Sequence, residues 1–301
     1  VLIGLRGVGK TALLLSAARD AESLGMVCLA LRCVRESPLL PTLELALRSA
    51  LLLKAAGPPA DRKAAAITDC LSMLVAASNS GQALLVCVDD AHRLATRELD
   101  QLLMLLRAAR AQRLSVGLLA TALPGNSQPI HREVSDDAGQ LRLEFPVLPT
   151  AVAAELLVGT ALPFKLKFEA SALAALVAAG AGHPLTLQQL GASAWLLTEC
   201  TPVRMVTAQR AIAHARLQLD AGFYHWRAHQ LGPQEQLYLR AAAALGTGPY
   251  RSGDIAAQMR RKVTALAPTR SALIAKELLY SPRYGETAFT TPGYAGYLQR
   301  T

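Results

Sequence analysis

Long apolar runs, cysteine and lysine are all scarce in this 301-residue chain. No apolar run reaches the roughly 18 residues that a membrane-spanning helix needs, and nothing reads as a secretory signal. A membrane span is therefore not expected, and the cytoplasm is the expected location. Cys28, Cys33, Cys70, Cys87 and Cys200 are odd in number, scattered, and mostly set inside apolar segments. Such a pattern argues against a disulfide framework and against zinc spacing, and leaves buried, reduced thiols. Arg far outnumbers Lys, which together with abundant Ala points to codon bias, so overall basicity says little about partners.

Hydrophobic residues make up 52% of the chain, much of it Ala and Leu at helical spacing. The length suits two or three domains and a helix-rich fold. Net charge is +9, unevenly spread. Residues 219–301 carry ten Lys/Arg against five Asp/Glu, a net +5, whereas the other 218 residues carry a net +4. The basic excess is concentrated at the C-terminal end. The chain starts at Val1, inside a predicted strand and without Met, so an N-terminal piece is expected to be missing from this sequence.

The most specific motif is Gly4-Leu5-Arg6-Gly7-Val8-Gly9-Lys10-Thr11, which spells G-x-x-x-x-G-K-T after the apolar run Val1-Leu2-Ile3. A helix-prone stretch, Ala12 to Glu22, follows it. Strand, glycine loop and helix in this order form a phosphate-binding P-loop. Glycines let successive N–H groups point inward, and the positive end of the helix adds attraction. Gly4, Arg6, Gly7, Val8, Gly9, Lys10, Thr11 and Ala12 are the candidate nucleotide contacts. Lys10 suits the β- and γ-phosphates, and the Thr11 hydroxyl suits Mg²⁺.

A second buried strand, Leu84-Leu85-Val86-Cys87-Val88, ends in Asp89-Asp90, the Walker B pattern. Its tip is expected beside the P-loop. Asp89 is the candidate Mg²⁺ ligand. Asp90 is the candidate general base, one methylene shorter than the Glu that often holds that position. Thr121, closing the next strand, is either a γ-phosphate sensor or an ordinary buried Thr. His92 reads as a surface residue leading a helix. Arg132 and Arg142 are candidate arginine fingers, with plain solvation the blander reading.

Strands near 1–4, 26–31, 83–89, 115–121 and 140–145 alternate with helices near 42–56, 61–78 and 96–111. That alternation predicts an α/β fold with a mainly parallel sheet covered on both faces. Beyond Pro149 the pattern is helical only, and Gly222 and Gly232-Pro233 interrupt it near 219–232. The expected organisation is a P-loop NTPase core over 1–149, a helical lid over 150–220 and a winged-helix domain over 221–301.

In the last segment, 233–243, 251–256 and 268–279 read as three helices, with wing strands at 279–281 and 287–290. Arg251, Arg270 and Lys276 are the candidate DNA contacts, with Arg260, Arg261 and Lys262 just before the third helix. A helix-turn-helix presents that helix to the major groove. A winged helix that contacts protein, or clamps the ATPase, is the competing reading.

With these motifs placed, the chain resembles bacterial AAA-type ATPases of the origin-recognition and STAND-like branch. The P-loop, Val88-Asp89-Asp90-Ala91-His92 and Gly182-His183-Pro184-Leu185-Thr186-Leu187-Gln188 carry the resemblance. It implies ATP and Mg²⁺ as cofactors, and Pro184 near the nucleotide base as part of a lid Gly-x-Pro motif. It also implies a segment before the first strand that helps hold adenine, which lies outside this sequence. Asp90 in place of Glu, and the lack of a secure sensor-2 arginine in the lid, depart from the family pattern. The expected function is an ATP-dependent switch with ATPase activity, coupled to double-stranded DNA through the winged helix. A slowly or non-hydrolysing scaffold for a protein partner or a second copy is the alternative.

Overall fold

The computed structural model describes residues 1–34, 38–50, 65–79, 81–125, 141–246 and 248–301. Two compact units are present: Val1–Gly4 with Lys10–Glu144, and Leu5–Gly9 with Phe145–Thr301.

The first unit is built on a sheet of β1 (Leu2–Gly4), β2 (Val27–Arg32), β3 (Leu84–Asp89), β4 (Val116–Ala122) and β5 (Leu143–Phe145), in the order β2-β3-β4-β1-β5. The β2–β3, β3–β4 and β1–β4 pairs are parallel, with Leu29 opposite Val86 and Val86 opposite Leu118. Alternating side chains along β3 serve opposite faces. Cys87 packs with Leu14 and Ala18 of α1 (Lys10–Ser23). Val86 and Val88 join a larger core with α2 (Leu39–Ala50), α3 (Ala65–Asn79) and α4 (Thr96–Ala111), which contribute Leu43, Leu47, Leu74, Leu99, Leu102 and Leu105. This two-sided covering is why β3 reads as a continuous apolar run.

One helix boundary differs from expectation. Helix α2 begins at Leu39 and takes Pro41 into its first turn, where the missing N–H would have had no helical partner. In the sheet order β4 lies between β1 and β3, so the Walker B strand is one strand removed from the P-loop strand.

The second unit contains a helical bundle of α5 (Thr150–Ala161), α6 (Ala170–Gly180), α7 (Pro184–Leu197) and α8 (Met205–Gln218). Its core joins Leu157, Leu176, Leu187 and Leu190 to Ala208, Ala211 and Ala215, whose small side chains let α8 approach closely. The helix does not stop at Gly222 as its composition suggests. It widens into a π-helical turn, Leu219–Tyr224, and continues as α9 (His225–His229).

Next come α10 (Pro233–Ala244), β6 (Tyr250–Arg251), α11 (Ser252–Gln258), α12 (Val263–Ala275), β7 (Leu279–Tyr280), β8 (Glu286–Phe289) and α13 (Tyr294–Arg300). Three helices and an antiparallel sheet ordered β6-β8-β7 fit a winged helix. Its core is Tyr238, Leu239, Ile255, Leu273, Leu279, Tyr294 and Tyr297. The third helix starts at Val263, five residues before the predicted Pro268 start. Pro268 and Thr264 are both exposed, so the carbonyl that Pro268 cannot serve is open to water.

Candidate functional site

In the first unit the P-loop lysine and the strand-end carboxylates are held by a small polar network. Lys10 opens α1, is buried, and donates Nζ to the Gly4 carbonyl at 2.8 Å. The Thr11 hydroxyl donates to the Asp89 carboxylate, with oxygens at 3.1 and 3.0 Å. Asp89 is also buried, and Thr121 donates to its Oδ1 at 2.5 Å. The same Thr121 hydroxyl accepts the Asp90 N–H at 2.9 Å. Thr121 reaches Asp89 because β4 is the strand inserted beside β3. Two hard oxygen donors, the Thr11 hydroxyl and the Asp89 carboxylate, stand together. They suit Mg²⁺, which takes few protein oxygens and keeps water and phosphate in its remaining positions. Among the described residues no cluster of three or more His, Cys, Asp or Glu competes as a metal site.

Asp90 adopts a left-handed conformation, φ 56°, at the start of a 3₁₀ turn over Ala91–Arg93. Its carboxylate faces His92 Nδ1 at 4.0 Å and Arg93 at 3.8 Å. His92 is not the surface residue predicted from its place after the acidic pair. It is buried, and its Nδ1 accepts the Leu123 N–H at 3.4 Å. The turn folds His92 inward, which helix periodicity alone does not reveal.

The middle of the P-loop belongs to the second unit. His183 Nε2 meets the Arg6 carbonyl at 2.7 Å, and the Leu185 N–H donates to the Gly7 carbonyl at 3.1 Å. A trans peptide holds its C=O and the next N–H antiparallel. With both carbonyls turned to residues 183–185, the N–H groups of Gly7 and Val8 face the opposite way. The N–H groups of Gly7, Val8 and Gly9 donate to no acceptor among the described residues. Gly7 has φ 78°, and a Cβ there would stand 2.7 Å from His183 Cε1 and 2.9 Å from Leu185 Cβ. Only glycine fits. Gly182 is equally constrained, at φ 69° with the Leu148 carbonyl 2.3 Å from any added Cβ. Pro184 occupies the first position of α7, and the hydrogen bonds to the loop come from its neighbours on either side.

The Arg6 side chain is tied down within the second unit. Arg6 forms an ion pair with Glu277, and its N–H donates to the Thr290 carbonyl at 2.9 Å. His183, Glu277 and Thr290 were not singled out from the sequence. In the Gly-His-Pro segment the proline is the local signal, and nothing local marks Glu277 or Thr290.

The predicted DNA contacts separate into two groups. Arg251 is exposed, as are Arg260, Arg261 and Lys262 ahead of α12. Arg270 and Lys276 are engaged within the module. Arg270 donates Nε to Thr287 at 2.8 Å, and its terminal nitrogen to Ser281 and to the Glu286 carbonyl. Its guanidinium thus fastens the third helix to the wing. Lys276 donates to Glu235 at 2.6 Å. Burial alone would raise the Glu235 carboxyl, but Lys276 and the Gly232 N–H outweigh it and leave it below its usual range. Arg142 pairs with Glu144 on an exposed edge, and Arg132 lies outside the described residues.

The cysteines are free thiols. Burial pushes Cys33 and Cys70 up to about 12 and Cys87 up to about 11, so none of these three is a thiolate near neutral pH.

Loop, lysine, strand-end acid and intervening strand match a known domain. Residues 1–119 match the AAA ATPase domain. Residues 221–298 match a domain of unknown function, DUF8462. No curated protein sequence matches the chain. The fold is similar to that of the Walker-type ATPase of Pyrococcus abyssi, at 15% identity over 99% of this chain and 90% of that one, with TM-score 0.64. It is also similar to the Aeropyrum pernix ORC2 protein, solved as ADPNP and ADP complexes, at 18% identity over 99% and 86%, with TM-score 0.58. The Aeropyrum pernix ORC1 protein in complex with DNA matches at 18% identity over 100% and 86%, with TM-score 0.53. These likenesses establish the fold alone: a parallel P-loop NTPase sheet covered by helices, with a C-terminal region that fits a winged helix. No described helix is long and apolar enough to cross a membrane.

Proposed function

We propose that this chain is a nucleotide-dependent switch that binds ATP and Mg²⁺ through its P-loop and couples the bound state to double-stranded DNA through its winged helix. The observation that carries the nucleotide reading is the run of three amide groups, Gly7, Val8 and Gly9, immediately before α1, that donate to no acceptor among the described residues. Clustered N–H groups at a helix start attract phosphate, and Lys10 follows directly. Thr11 and Asp89 would hold Mg²⁺, which would neutralise charge on the phosphates. Thr121 would fix the Asp89 carboxylate for that task, and Asp90 would orient the attacking water. Pro184 and Ala12 remain proposed nucleotide contacts. The exposed Arg251, Arg260, Arg261 and Lys262 favour DNA, and the ORC1 neighbour was solved with DNA.

One observation favours a second reading, a slow or non-hydrolysing scaffold whose winged helix meets a protein partner or a second copy. The Asp90 carboxylate is turned toward His92 and Arg93, and the shorter Asp has less reach than Glu. Calorimetry with ATP, ADP and Mg²⁺ on wild type and Lys10→Ala tests the site. The expected result is loss of binding in the variant, and equal affinity would sink the assignment. Phosphate release separates the two readings. In the switch reading Asp90→Asn spares binding and stops turnover, whereas the scaffold reading gives slow or no turnover in wild type as well.

A further inference from the structure

Arg6 is held from two directions by one hydrogen-bonded corner of the winged helix. Glu277 lies just past the end of α12 in a left-handed conformation, φ 60°, and is buried. The Thr290 hydroxyl donates to the Glu277 carbonyl at 2.6 Å, and the Thr290 N–H donates to the Leu278 carbonyl at 3.0 Å. Glu277 and Thr290 are thus bound to each other, and both engage Arg6, one at its side chain and one at its backbone N–H. The pair is largely shielded from water, with 18% of the Arg6 side chain and 9% of the Glu277 side chain exposed.

The pairing leaves Arg6 only partly satisfied. Its Nε is buried and has no hydrogen-bond partner among the described residues. A second guanidinium, Arg227, stacks over Phe223 at 4.0 Å and donates to the Phe223 carbonyl at 2.7 Å. Burial first, and then the Arg6 charge, pull Arg227 below its usual range, while Glu277 acts in the opposite sense. Two guanidiniums therefore share the field of one carboxylate. Arg6 also stands directly before Gly7, Val8 and Gly9, whose amides suit phosphate. Guanidinium binds phosphate and carboxylate through the same planar fork, so both can claim Arg6 but not through the same nitrogens.

We propose that Glu277 and the phosphate chain of a bound nucleotide compete for the Arg6 guanidinium, so that loading the P-loop releases the α12–wing corner from it. This rests on the nucleotide reading above. By linkage, whatever frees Arg6 from Glu277 must tighten nucleotide binding, and nucleotide must loosen the corner by the same factor.

The experiment compares wild type, Glu277→Gln, Arg6→Ala, Arg6→Lys, the Arg6→Ala/Glu277→Gln double variant and Lys10→Ala. Readouts are calorimetric affinity for MgADP and MgATP, and hydrogen exchange of residues 278–290. Glu277→Gln keeps the shape and removes the charge. The expected gain in nucleotide affinity is about fivefold or more, the lower end of typical coupling between sites. The gain vanishes in the Arg6→Ala background and is retained in part by Arg6→Lys. Nucleotide raises exchange of 278–290 in wild type and leaves it unchanged in Arg6→Ala. Unchanged or weaker binding by Glu277→Gln, or unchanged exchange in wild type, overturns the competition. If wild type binds nucleotide and Lys10→Ala does not, that failure leaves the nucleotide reading standing. If wild type binds no nucleotide, both fall.

Discussion

Thr121 donates its hydroxyl proton to the Asp89 carboxylate over 2.5 Å, and the Asp90 N–H donates to the same hydroxyl over 2.9 Å. One fully buried side chain therefore fixes both members of the acidic pair. Thr121→Val keeps the shape and removes the hydroxyl. It leaves a buried N–H without its acceptor and a carboxylate with one donor fewer. A loss of about 1–3 kcal/mol in urea unfolding is expected. Mg²⁺-dependent nucleotide binding should weaken alongside it. A variant as stable as wild type would show that water replaces the hydroxyl at no cost.

Asp89→Asn tests the other end of this bond. The amide is a poorer ligand for a hard cation than the carboxylate. Nucleotide affinity measured with Mg²⁺ should fall, and affinity measured in EDTA should change little. Equal loss in both conditions would assign Asp89 a purely structural part.

The winged helix predicts a division between two kinds of arginine. Arg270→Ala removes three hydrogen bonds between α12 and the wing, so it should lower the melting temperature of the chain. Arg261→Ala and Lys262→Ala, at exposed positions, should leave the melting temperature within error. If the module binds duplex DNA, they should weaken binding uniformly across sequences and each lower the salt slope by about one. Mobility shifts over a salt series read both effects. Unaltered DNA affinity in the exposed-site variants would favour a protein partner for this face.

The buried thiols set a further expectation. Cys200 is exposed, so it should react first with a maleimide at pH 8, while Cys33, Cys70 and Cys87 wait for unfolding. Each buried thiol titrates higher when folded than its ordinary value of about 9. Above that value the unfolded chain loses protons that the folded chain keeps, so stability falls as pH rises from about 9 towards 12. Tyr224 and Tyr294, also raised to about 12 by burial first of all, add a fall that starts near 10. Unfolding midpoints of Cys33→Ala/Cys70→Ala should therefore drop less steeply with pH than wild type, with the tyrosine part remaining. An identical slope would remove the thiols from the account.

Much of the protein was written locally. Gly4 to Thr11 carries its meaning in eight consecutive residues, because a loop that wraps phosphate needs glycines, a lysine and a hydroxyl at fixed spacing. The apolar run ending at Asp89, the helix over 96–111 and the helices at 233–244 and 252–258 follow from periodicity and end signals of their own. Pro268 misled at the third helix, because a proline that usually opens a helix was accommodated inside an exposed turn. Gly222 misled in the same way, since a glycine suggests an end while the chain takes a wider turn there.

What only tertiary structure decided is which distant groups meet. Strand order is a long-range property, and inserting β4 beside β3 is what turns Thr121 from an ordinary buried threonine into the partner of Asp89. His183 and Leu185 meet Arg6 and Gly7 across more than 170 residues, and Glu277 meets Arg6 across 271. No local pattern encodes such pairs, because each side chain is ordinary in its own segment. The chemistry comes from packing that brings a carboxylate and a guanidinium out of water together.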